Sequence, residues 1–103
     1  MNKNTQKIIN DNLRTYFQIG TKVDIPPRKC RGASLEHEIK KMEILTRLWF
    51  EGRNVVINGK LKNKQVPDLT IIDLENPIIY EILVSEKTLN KEKDYPFRIV
   101  EIK

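Results

Sequence analysis

Val66-Pro67-Asp68-Leu69-Thr70-Ile71-Ile72, then the turn Asp73-Leu74-Glu75-Asn76-Pro77, then Ile78-Ile79-Tyr80-Glu81-Ile82-Leu83-Val84: this stretch decides how the chain folds. Each flank of the turn is a short, nearly continuous apolar run, the pattern of a strand covered on both faces. Two acids interrupt the pattern. Asp68 follows a proline at the start of the first run, and Glu81 lies inside the second. Burying a lone carboxylate is costly, so a glutamate there calls for a partner, a metal ion or a water-filled cleft.

Working upstream, Val55-Val56-Ile57 reads as a further strand, and Asn58-Gly59 as a turn opening the basic loop Lys60 to Gln65. Before it, Ser34 is a good N-cap for a helix running to about Glu51, with Gly52 as its stop. Helical spacing puts Leu35, Met42, Leu45 and Trp49 on the buried face of that helix, with Ile39 and Phe50 at its margin. Glu38 falls within this stripe, whereas Glu36 and His37 point away from it, toward solvent. A first helix is expected over Asn4 to Gln18, with Ile8, Ile9, Leu13, Tyr16 and Phe17 as its apolar stripe. Pro26-Pro27 then keeps the connection Thr21 to Ala33 irregular. Downstream, Ser85 to Asp94 reads as a short polar helix and Phe97 to Ile102 as a last strand. The order α, α, β, β, β, short α, β predicts an α/β fold, a mixed sheet of about four strands flanked by helices.

A chain of 103 residues suits one domain. Residues 1–28 form the extra N-terminal helix and basic connection, and 29–103 form the core. No apolar run approaches the about 20 residues of a membrane span, and the first residues, Met1 to Asn12, are polar and charged, so the chain reads as soluble and intracellular, with no membrane partner. One cysteine, Cys30, and one histidine, His37, exclude an internal disulfide and a Cys/His zinc site. Cys30 reads as an incidental loop residue. A net charge of +5 suits a polyanionic partner without establishing one.

If the strands bearing Asp68 and Glu81 are neighbours, the two acids can converge at one sheet edge, with a third carboxylate from the preceding helix. Clustered carboxylates repel one another until a divalent cation joins them, and Mg²⁺ accepts a few carboxylate oxygens while keeping its waters. Such an ion can supply hydroxide and offset charge on a phosphate under attack.

In its helix with glutamate, strand, basic loop, Pro67-Asp68 strand, turn and Glu81 strand, the chain resembles the PD-(D/E)xK, or restriction-endonuclease-like, nucleases. The stretch Lys29-Cys30-Arg31-Gly32-Ala33-Ser34-Leu35-Glu36-His37-Glu38 is similar to the opening of archaeal Holliday-junction resolvases within that superfamily. The resemblance covers Lys29 to Glu86. It implies a Mg²⁺- or Mn²⁺-dependent DNA endonuclease, structure-selective in the manner of the resolvases. Asp68 and Glu81 would be metal ligands and one of Glu36 or Glu38 the third acid. The spacing from Gly32 favours Glu36, and helical phase favours Glu38. The basic stretches Arg28, Lys29, Arg31 and Lys60, Lys62, Lys64 flank this site and would contact phosphates. Junction-cleaving relatives act as symmetric pairs, so the resemblance also implies a homodimer, with the N-terminal helix as a candidate element for pairing.

The sequence departs from the family at one position. The family carries a lysine two residues after the second acid, where it helps position the attacking water, and here that residue is Leu83. A cutting enzyme would have to recruit another lysine, with Lys60, Lys62, Lys87 and Lys91 as candidates. Glu101-Ile102-Lys103 repeats the missing pattern at the end of the chain, too far from Asp68 to count. Leu83 therefore leaves open a DNA-binding or accessory protein that keeps the fold without cutting. A small interaction protein with no nucleic-acid role is a third reading. Each acid also has an ordinary explanation. Glu36 and Glu38 suit the first turn of a helix, Asp68 can start a strand, and Glu81 can be ion-paired.

Overall fold

The computed structural model describes residues 3–25, 34–83 and 95–102. The elements follow from local chemistry. Helix α1 spans Lys3–Tyr16 and turns Ile9 and Asn12 inward. Helix α2 spans Leu35–Phe50. Ser34 caps it, its hydroxyl accepting from the His37 backbone N–H at 3.1 Å. Such a cap contributes about 1 kcal/mol. Gly52, at φ +83°, lets the chain leave the helix through a left-handed turn.

Four strands follow: β1 (Val55–Ile57), β2 (Leu69–Ile71), β3 (Ile78–Ile82) and β4 (Arg98–Ile102). They form one mixed sheet in chain order, β1-β2-β3-β4. The first two pairings are antiparallel, with Val55 opposite Ile71 and Leu69 opposite Tyr80. β4 then pairs parallel to β3, with Glu81 beside Glu101. The described residues are thus α/β with a four-stranded mixed sheet. The expected short helix over Ser85 to Asp94 lies outside the described residues.

Alternation along the strands sends side chains to two layers. On one face Ile44, Leu45 and Leu48 of α2 pack on Val55, Ile57, Leu69, Ile71 and Ile82. On the other, Ile9 and Phe17 meet Val56, Leu61 and Ile72, with Tyr16 edge-on to Phe97 at 4.4 Å between ring centres. Each fully buried side chain of this kind contributes about 1.5–3 kcal/mol. Asn12 fastens α1 to the sheet, its amide donating to the Ile72 and Leu74 carbonyls at 2.9 and 2.8 Å.

The buried face of α2 differs from the sequence expectation. Lys41, Ile44, Leu45 and Leu48 face inward, while Leu35, Ile39, Met42, Trp49 and Phe50 are exposed. The helix carries two apolar stripes. The one containing a lysine packs on the sheet, because that lysine finds hydrogen-bond partners there.

A buried polar cluster at the sheet end

β1 and β3 end, and β2 begins, at the same edge of the sheet, and the N-terminal half of α2 runs over it. Asp68 stands one residue before β2. Continuing the register that pairs Leu69 with Tyr80 sets Asp68 across from Glu81. Both acids are buried, at 8% and 6% exposure. Asp68 Oδ2 accepts from the Ile82 backbone N–H at 2.8 Å, which ties the carboxylate to β3. Glu81 Oε1 accepts from the Tyr95 hydroxyl at 2.6 Å. Burial first, then Glu81, then the more distant charge of Asp68 push the Tyr95 phenol well above its ordinary range.

From above, α2 contributes His37, Glu38 and Lys41. His37 Nε2 lies 3.3 Å from Asp68 Oδ1. The expectation that His37 faces solvent is therefore wrong: the Ser34 cap starts α2 so that position 37 overhangs the start of β2. Its Nδ1 stands 3.5 Å from Glu38 Oε1, near enough to feel the charge but not aligned for a hydrogen bond. This buried nitrogen has no hydrogen-bond partner among the described residues.

Lys41 is 1% exposed, an expensive position for an ammonium unless it is paired. Its Nζ donates to Glu38 Oε1 at 2.9 Å and to Asn58 Oδ1 at 2.6 Å. Asn58 sits in the left-handed region at φ 49°, which Asn tolerates better than most residues, and its N–H donates to the Asp68 carbonyl at 2.9 Å. The Asn58-Gly59 turn thus does more than reverse the chain, because it supplies the amide oxygen that lets a lysine be buried. At Glu38, burial opposes ionisation, but Lys41 and then His37 outweigh it and hold the carboxyl below the usual range.

Of the sequence-predicted acids, Glu38 meets Lys41 and His37, Asp68 meets His37 and the Ile82 N–H, and Glu81 meets Tyr95 on the sheet face away from α2, whereas Glu36 is exposed and stands apart. The loop lysines Lys60, Lys62 and Lys64 are exposed. Leu61 between them is 1% exposed and bridges to Phe17, so the loop is anchored while its charges point outward. Leu83 is buried. Arg28, Lys29, Cys30, Arg31, Lys87, Lys91 and Lys103 lie outside the described residues. Sequence reasoning missed Lys41, Asn58 and Tyr95. The one available signal was Lys41 itself, four residues before Leu45 and seven before Leu48, on a stripe that is otherwise apolar.

The cluster offers hard oxygen donors beside a fixed ammonium. Among the described residues, no group of three or more His, Cys, Asp and Glu side chains is gathered to hold a metal ion. No helix among them is long and apolar enough to cross a membrane. The chain matches no family model, no curated protein and no solved structure.

Proposed function

We propose that this protein is a Mg²⁺- or Mn²⁺-dependent DNA endonuclease of the restriction-endonuclease-like type, in which Lys41 on α2 takes the place of the lysine that Leu83 lacks. The observation that carries this reading is the buried Lys41 ammonium, held by Glu38 and Asn58 at the sheet end where Asp68 and Glu81 stand on adjacent strands. The order helix, three antiparallel strands and a parallel fourth supports the nuclease-like core. Mg²⁺ needs only one or two carboxylates, with water and substrate phosphate completing its shell, so Asp68 and Glu81 suit it without a third protein ligand. When bound, that ion supplies Lewis acidity and an ionised water. Glu38 and Asn58 fix the Lys41 ammonium at this end of the sheet, where its charge can act on a nucleophile, and His37 steadies Asp68. Lys60, Lys62 and Lys64 offer exposed charge to phosphates, and Arg28, Lys29 and Arg31 are assigned the same role by their sequence position. Pairing of two copies would supply the two cuts that a branched substrate needs.

A second reading, a nuclease-fold protein that binds DNA without cutting, is favoured by Leu83, which stands buried where the resembling family carries its lysine. Incubating supercoiled and branched DNA with the protein and Mn²⁺ separates the two. Nicking is expected in the wild type, with loss of both nicking and calorimetric metal binding in Asp68→Asn. Lys41→Met should keep DNA binding and lose roughly 10²-fold or more in rate. A gel shift without nicking would establish the binding reading. No affinity even at low salt would leave an interaction protein with no nucleic-acid role.

A further inference from the structure

The face of α2 turned away from the sheet carries Leu35, Ile39, Met42, Thr46 and Trp49, spaced four, three, four and three residues apart. This is the spacing of a helix-pairing seam. Leu35 is 76% exposed, Ile39 58%, Met42 44% and the adjoining Phe50 88%. Scattered exposed apolar residues are ordinary, but a contiguous stripe along a whole helix is not. Trp49 is held in place, its indole N–H donating to Asp24 Oδ1 at 2.9 Å, so the stripe ends in a fixed aromatic edge.

The charges beside the seam indicate what covers it. Glu36, Lys40, Glu43 and Arg47 form one line along its flank, alternating in sign, with Glu43 paired to both Lys40 and Arg47. A two-fold axis perpendicular to the helix near Met42 lays this line against its own reversal. Glu36 then meets Arg47 of the second copy, and Lys40 meets Glu43. In the same arrangement Leu35 lies against Trp49 and Met42 against itself. A pattern complementary to its own reversal is what an isologous interface requires.

We infer that this face of α2 is the interface of a symmetric, antiparallel homodimer of this chain. The inference is independent of the endonuclease reading, since none of the seam residues belongs to the polar cluster. Sedimentation equilibrium should return a dimer for the wild type. Ile39→Glu and Met42→Glu, both at exposed positions, should keep the wild-type circular dichroism and weaken the dimer by at least about tenfold, because each puts a charge into the apolar seam. Lys40→Glu should weaken pairing and Lys40→Glu/Glu43→Lys restore it. In a Cys30→Ser background, oxidation should cross-link Met42→Cys to itself but not Leu35→Cys. A monomeric wild type, a dimer indifferent to both glutamates, or self-cross-linking through Leu35→Cys would overturn the inference.

Discussion

The Tyr95 hydroxyl is held between burial and the Glu81 carboxylate, and its proton is worth more to the folded chain than to the unfolded one. The folded phenol ionises above its ordinary value of 10.0, so its contribution is complete below that pH and is lost as pH rises above it. Wild-type stability should therefore fall in the alkaline range, and Tyr95→Phe should flatten that fall while costing about 1–3 kcal/mol at neutral pH, because the buried Glu81 carboxylate loses one hydrogen bond. Denaturant midpoints between pH 7 and 11 measure both effects. Glu38 works in the opposite direction. Its carboxyl is held below the ordinary value of 4.5, so its contribution is complete above that pH and is lost as pH falls through the folded value. Glu38→Gln should weaken that acid-side loss.

At the scale of elements, the turn between β1 and the basic loop is more constrained than a solvent-exposed connection. A methyl group at Gly59 would run into Val56 Cγ1 and stand 3.0 Å from the Phe17 ring. Gly59→Ala should therefore destabilise the fold by about 1–3 kcal/mol, read from thermal or urea unfolding, because Val56 and Phe17 are buried and have nowhere to shift. Both helices and all four strands were legible in the sequence to within a few residues, since caps, glycines and apolar runs mark their ends. The inward face of α2 was not. Two apolar stripes share that helix, and the count of apolar residues favours the one without the lysine. Asn58, 17 residues from Lys41, joins Glu38 in partnering the ammonium and so helps make the lysine-bearing stripe the one that is buried. Asp68 and Glu81 could be read as candidates because charge interrupts apolar runs there. Lys41 and Tyr95 could not, because what marks them is a contact made across the fold.

At the scale of the molecule, a positive charge excess of +5 frames the test of nucleic-acid binding. If the exposed lysines of the β1–β2 loop touch phosphates, replacing Lys60, Lys62 and Lys64 by Gln should lower DNA affinity uniformly across sequences and flatten its dependence on salt by up to about three ions. Fluorescence anisotropy between 50 and 200 mM salt reads that slope. An unchanged slope would place DNA elsewhere on the surface.

Among the described strands β4 alone joins the sheet parallel to its neighbour, and Tyr95 comes with it. On a ribosome, the α2–β1–β2–β3 meander can assemble as soon as it emerges, but β3 then presents a bare edge, and Glu81 waits for its phenol. Nascent chains stalled with residue 94 as the last to leave the exit tunnel should be open to protease at β3, and chains released through residue 102 should not. Closing the site would then wait for the arrival of β4.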